Sequence, residues 1–378
     1  MTHNKVVVAM NSFKGCLSSA EANEAVKVGI ERIGYDNVTT MSMSDGGDGF
    51  LDAVMPLTGG ERITVSVHDP LMRLIEAEYL RAGNTAYIES ARACGLTLVG
   101  ACERDIMSAT SMGVGELIVH AINAGARRVV VGLGGSATCD NGIGMLTAMG
   151  VQVTDERINL DDFILNNHDV EFVAASDVTA PLCGTYGAAR VFAAQKGATT
   201  AEVEILEQRA LHFARRTAAR LGRDCSDRAG AGAAGGMGFA LTAYCLAQLT
   251  SGAELLLDLT DWSNVIKDAL CVFTGEGCAD RQTMMGKLPY IVARRTKLAG
   301  VARVIPVILL AGQVSYREVS EERPFDMVEC INPDSMSLDE CLQPEVAQHN
   351  IATAAERVMR HPEYLVRILS KSCQPIND

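Results

Sequence analysis

The chain has 378 residues, 48% of them hydrophobic and 21% charged, the make-up of a water-soluble globular protein with one large domain or two. Acidic residues outnumber basic ones by 46 to 33, and the net charge of −13 argues against nucleic acid and anionic membrane surfaces as partners. No apolar run approaches the roughly 20 residues that span a bilayer and no signal-peptide core follows Met1–Lys5, so neither a membrane nor a secreted setting is expected and the protein reads as cytoplasmic.

Lys5–Met10 reads as a short apolar strand, followed by the loop Asn11–Leu17. Ser18 and Glu21 have capping-box form and open a helix with Ala22, Ala25, Val26, Ile30 and Ile33 on one face, closed by Gly34. Val38–Met43 is a second strand, ending at the loop Asp45-Gly46-Gly47-Asp48-Gly49. Arg62–His68, Leu74–Leu80 and Thr85–Ser90 have partial alternation with no long helix between them, which predicts an antiparallel meander. A helix at about Gly113–Ala124 leads to the strand Val129–Val131, the glycine-dense turn Gly132–Gly135 and a helix from Ile143 to Met149. Val151–Val153 and Glu171–Ala175 are strands and Glu202–Leu221 a helix; Ala229–Gly238 is almost all glycine and alanine and leads into a helix reaching Leu249. Ala269–Phe273 (strand), Pro289–Leu298 (helix), Val304–Leu310 (strand) and His349–Arg360 (helix) restore the alternating style of the N-terminus.

The two ends resemble each other and the middle differs. The expected class is α/β with two domains, a Rossmann-like parallel-sheet domain formed by residues 1–60 with 265–378 and an inserted mixed α/β domain over 61–264. The twelve cysteines include no Cys-x-x-Cys pair and read as reduced thiols, and the seven histidines have no zinc-site spacing.

Four loops after strand-like segments combine glycine with polar residues: Asn11–Gly15, Ser44–Gly49, Gly132–Asp140 and Thr274–Lys287. Ligands of open parallel sheets sit outside the carboxyl ends of strands. Lys14, Lys196 and Lys287 each adjoin a glycine, where an ammonium can reach a phosphate, and Asp45, Asp48, Asp177, Glu276 and Asp280 lie at or just past strand ends. Positive charge for phosphates and carboxylates for Mg²⁺ or an attacking hydroxyl are what phosphoryl transfer needs. Neither a P-loop nor a protein-kinase His-Arg-Asp loop is present. A rival remains: Gly132-x-Gly134-x-x-Ala137 with Asp155 downstream has the form of a dinucleotide fingerprint, which would make the protein an NAD(P)-dependent oxidoreductase.

Nearly the whole chain resembles the bacterial glycerate kinase family. The matching pieces are Asn11-Ser12-Phe13-Lys14-Gly15, Asp45–Gly49, Ser111-x-Gly113-x-Gly115-Glu116, Gly134-Gly135-Ser136-Ala137-Thr138, Ser176-Asp177-Val178, Gln195-Lys196-Gly197, Gly230–Gly236, and Thr274-Gly275-Glu276-Gly277 with Asp280, Gln282-Thr283 and Gly286-Lys287. The resemblance implies ATP and Mg²⁺ as cofactors, D-glycerate as substrate, 2-phosphoglycerate as product and a site between two domains. Loops and resemblance together nominate Lys14, Asp177 and Asp280 as catalytic, and Asn11, Ser12, Asp45, Gly46 and Lys287 as substrate-binding. They nominate Gly134, Gly135, Ser136, Ala137, Thr138, Lys196 and Glu276 as cofactor-binding, and Asp45 and Asp177 as metal ligands. A second copy of the chain is a further candidate partner. Cys278 stands where the family usually has arginine, which keeps a non-catalytic binding relative as another alternative.

Overall fold

A computed structural model describes residues 5–154, 157–163, 169–301, 304–315, 319 and 324–360. Its strands in chain order are β1 (Lys5–Met10), β2 (Val38–Thr40), β3 (Glu61–His68), β4 (Leu74–Ala82), β5 (Thr85–Glu89), β6 (Arg128–Gly132), β7 (Gln152–Val153), β8 (Ile158–Asn159), β9 (Glu171–Ala175), β10 (Gln248–Thr250), β11 (Ala269–Ala279), β12 (Val307–Val314) and β13 (Met327–Cys330). The fold is α/β, with one parallel sheet, one mixed sheet and a two-stranded antiparallel pair of β7 and β8. Two compact units divide the chain: one runs to Ser44 and resumes at Ala253, and the other is Asp45–Gly252. These dividing points precede the expected 60/61 and 264/265. The helix Phe50–Thr58, which sequence patterning did not indicate, packs on β4 and β5 and so belongs with the middle of the chain. The helices Gly252–Leu259 and Trp262–Ile266 lie within or next to the returning segment, where Arg295 pairs with Glu254 and with Asp258.

The first unit is a parallel sheet in the order β13-β12-β11-β1-β2. Val6 to Met10 are all fully buried, as in a strand covered on both faces. Val6, Val8 and Met10 join Phe273, Ile308 and Leu310 in one core with Val26, Ile30, Ile351 and Ala355, which come from the helices Ser19–Glu31 and Pro344–Met359. Those helices approach so closely that a Cβ on Gly29 would lie 2.1 Å from the Ala352 carbonyl oxygen. The expected capping box is formed: Ser18 accepts from Glu21 N–H, and Glu21 accepts from Ser18 N–H at 2.8 Å. The helix Leu288–Leu298 packs on β11 and β12.

The second unit is a six-stranded sheet in the order β10-β9-β6-β5-β4-β3, parallel from β10 to β5 and antiparallel across β5, β4 and β3, as the expected meander requires. Tyr79, Ile88, Leu117, Val129, Val131 and Phe239 lie in its core.

Several elements depart from expectation. β11 continues through Glu276 to Ala279, because Gly275 lets Met10 and the Leu310 carbonyl close in and the ladder runs on to Ala279↔Val314. The helix expected to reach Leu249 spans Ala233–Tyr244; Leu246, at φ 57°, turns the chain and Gln248–Thr250 joins β9 as a parallel strand. The last helix begins at Pro344, five residues before the expected His349, with proline in its first turn. β2 ends at Thr40, and β12 is displaced to Val307–Val314. Eleven cysteines are free thiols; Cys373 lies outside the described residues. No described helix is long and apolar enough to cross a membrane.

Candidate active site

Each unit gathers part of the nominated set. In the second unit, the loops after β6 and β9 and the segment Asp45–Gly49 meet through glycines. Gly46, at φ +90°, lies against the Ala175 carbonyl, where a Cβ would sit 2.3 Å from the oxygen. A Cβ on Gly134 would be 2.4 Å from Gly47 Cα, and one on Gly252 would be 2.4 Å from Gly46 N. Only hydrogen side chains permit such approaches. Asp45 Oδ1 accepts from Gly47 N–H at 3.0 Å, Asp177 N–H donates to the Asp45 carbonyl at 3.3 Å, and Asp177 Oδ1 accepts from Gly252 N–H at 3.0 Å. Asp45, Gly46, Gly134 and Asp177 are therefore neighbours. Gly252 completes the group; its only signal in sequence is Ser251-Gly252 after the β-branched end of a strand that patterning missed.

The Gly134–Thr138 loop is tied down at one side and open at the other. Leu96 N–H donates to Gly135 O, and Ala137 N–H donates to Cys94 O, both at 2.8 Å, so the Ala137 amide is already committed. Gly134 and Gly135 lie nearer the surface, Gly135 at φ +65°. Lys196 holds the following residues of the loop from inside. It is 5% exposed, and Nζ donates to Ser136 Oγ at 3.0 Å and to the Thr138 carbonyl at 2.8 Å. Burial holds its ammonium below the ordinary lysine pKa, opposed by Cys139, Cys94 and Asp140. Lys196 thus supports the loop from within instead of projecting from a solvated turn. The glycine-alanine run braces the same loop: Ala234, Gly235 and Gly236 have left-handed φ values, Gly235 O accepts from Asn141 N–H at 2.9 Å, and a Cβ on Gly235 would meet the Thr138 carbonyl at 2.0 Å.

Asp140 belongs to the scaffold. Its carboxylate accepts from Ser111 N–H and Oγ–H and from Gly142 and Gly144 N–H, at 2.8–3.0 Å. The helix after the glycine turn starts only at Ile143, not within the Gly132–Ala137 motif, so the dinucleotide geometry is not met. Asp155 lies outside the described residues.

In the first unit, β1 and β11 bring the other nominated residues together. Asn11 N–H donates to Gly275 O at 2.9 Å, and Asn11 Oδ1 accepts from Ser12 N–H at 2.8 Å. Lys14 is exposed. Glu276, on β11, is 6% exposed. Burial pushes its carboxyl up to about 6, against the hydrogen bond from Thr283 and the charges of Lys287 and Lys14, while Asp280 reinforces the rise. Lys287 Nζ lies 3.5 Å from Asp280 Oδ1 and 3.7 Å from Glu276 Oε2. Asp280 caps the short helix Arg281–Met284, accepting from Gln282 and Thr283 N–H. Thr283, to which the sequence assigned no role, is fully buried between these acids. Cys278 is exposed, and partial desolvation of its thiol, with the charges of Asp280 and Glu276 against that of Lys287, holds it above the ordinary range.

A family model described as the glycerate kinase family matches residues 6–363. A glycerate kinase of Halalkalibacterium halodurans is 37% identical over 377 residues, covering 93% of this chain and 98% of the relative. The glycerate 2-kinase of Escherichia coli K12 is 36% identical, covering 94% and 97%. A solved structure of a glycerate kinase 2 candidate from Salmonella typhimurium LT2 is similar with a TM-score of 0.77 and 34% identity, covering 96% of this chain and 99% of that one. The fold and these similarities define an enzyme of the transferase class, a kinase. The chain belongs to the glycerate kinase family.

Proposed function

We propose that the protein transfers the γ-phosphoryl group of ATP to the 2-hydroxyl of D-glycerate, giving 2-phosphoglycerate and ADP. The observation that carries this reading is Lys196. Its ammonium is buried under a glycine loop with two uncharged acceptors, Ser136 Oγ and Thr138 O, so the loop above it favours an anion. A phosphate on the Gly134 and Gly135 amides would supply the negative charge, and Ser136–Thr138 would hold the loop's shape.

Asp45 and Asp177 fit Mg²⁺. This ion takes one or two protein carboxylates and completes its shell with phosphate oxygens and water, and the two acids are joined through their backbones at 3.3 Å. When bound there, Mg²⁺ would offset phosphate charge. Asp177 would also orient the acceptor hydroxyl, and Lys14, Asn11 and Ser12 would bind the acceptor or the group in flight. Lys287, held by Glu276 and Asp280, would add a further positive charge. The bond between the γ-phosphorus and the bridging oxygen of ADP breaks as the bond to the glycerate oxygen forms, and the hydroxyl proton leaves for Asp177 or water. The acidic chain with its free thiols fits a cytoplasmic setting.

Lys196→Met should lower kcat/KM for ATP by at least about tenfold in folded protein, the worth of one charge-assisted contact. Calorimetric titration with ATP beside a coupled assay reads binding and turnover separately. ATP binding and turnover equal to those of the parent would contradict the assignment.

A further inference from the structure

We infer that Thr283 is a positioning residue for phosphoryl transfer, holding Glu276 and Asp280 in the arrangement that fixes the Lys287 ammonium. The inference rests on the reading above, in which Lys287 offsets phosphate charge. Thr283 Oγ1 accepts from Asp280 N–H at 3.0 Å and donates to Glu276 Oε1 at 2.6 Å. The first bond completes the cap of Arg281–Met284; the second serves no cap. It reaches back to β11 and orients a buried carboxylate whose other oxygen, Oε2, faces Lys287 at 3.7 Å. One hydroxyl therefore ties together both acids that hold one lysine.

The charged groups acting on Glu276 are Lys287 and Lys14, which favour its anion, and Asp280, which opposes it; Cys278 lies two residues on along the same strand. Above about pH 6 Glu276 is ionised and holds Lys287; below it the carboxyl is protonated and the hold weakens. Without the Thr283 hydroxyl the anion loses a donor, so its titration moves to higher pH.

The test compares Thr283→Val, which keeps shape and removes the donor, with Thr283→Ser, which keeps the donor. In the full-length enzyme the valine variant should lose about tenfold in kcat/KM at neutral pH, the worth of one hydrogen bond to a charged group. The acidic limb of its pH profile should also move upward. Serine should restore both. Glu276→Gln should abolish that limb, and valine added to it should cost little more. An unmoved limb in the valine variant, a serine variant as impaired as valine, or multiplying losses in the double variant would overturn the inference. Should the valine variant fail to fold, the Glu276→Gln profile decides, and a persisting limb overturns it. Carbon-13 titration of the Glu276 carboxyl, with and without the Thr283 hydroxyl, reads the same coupling without substrate, so it stands or falls separately from the glycerate assignment.

Discussion

Lys196 and Asp140 occupy neighbouring polar positions and show how burial decides a side chain's work. Asp140 ends one of the glycine-rich loops after a strand, yet four donors at 2.8–3.0 Å consume its carboxylate. Asp140→Ala should cost about 2–4 kcal/mol by leaving buried donors unpaired; a urea melt unchanged from the parent would show that the donors find other partners. Lys196 reads in sequence as a loop lysine that can reach a phosphate, but at 5% exposure its ammonium is buried against Ser136 and Thr138, inside the loop it supports. Gly46 is decided by space. At φ +90°, with the Ala175 oxygen 2.3 Å from where a Cβ would stand, Gly46→Ala forces the Asp45 loop away from β9. The expected outcome is a Tm lower by several degrees together with weaker Mg²⁺-dependent ATP binding, read by thermal melts with and without ligand; a variant with the parent's Tm would mean that the loop moves freely.

Among the elements of the first unit, β11 carries Glu276 and leads directly to Asp280, Thr283 and Lys287. Its first five residues are legible as a strand from their apolar run, but Thr274–Ala279 reads as a loop because two glycines and an acid break the pattern. The strand persists there because its ladder partners on β12 are supplied from far along the chain, information that no local pattern holds. The capped helix Ser19–Glu31, by contrast, is written in its own residues. Extension of β11 into the polar stretch is what buries Glu276. A carboxyl raised to about 6 binds its proton more tightly folded than unfolded. Its contribution to stability is thus full below its ordinary titration range and lost as pH rises through about 6. Glu276→Gln removes that loss, so at pH 8 it should be more stable than the parent by up to about 2 kcal/mol, with the gain absent near pH 4. Urea melts at both pH values check this, and a variant less stable at pH 8 by the same margin as at pH 4 would contradict it.

At the scale of the molecule, a chain of net charge −13 sets Lys14, Lys196 and Lys287 beside glycines, the arrangement proposed above to meet anionic substrates. The α/β class and the antiparallel meander are legible in sequence from apolar runs and their alternation, and so are Asp45, Gly134 and Asp177 as members of glycine-rich loops after strands. The packing that makes the second-unit residues neighbours is not: Gly252 on Gly46 and Gly235 on Thr138 are contacts of backbone with backbone, set by tertiary approach. Family membership adds what neither loops nor packing supply, the class of reaction. The most direct measurement is a coupled assay of the purified protein with ATP, Mg²⁺ and D-glycerate, the product isomer identified by phosphorus-31 NMR. The expected result is Mg²⁺-dependent ADP release matched by 2-phosphoglycerate. Folded protein that binds ATP and leaves D-glycerate unphosphorylated, or that forms the 3-phosphate, would contradict the proposed reaction.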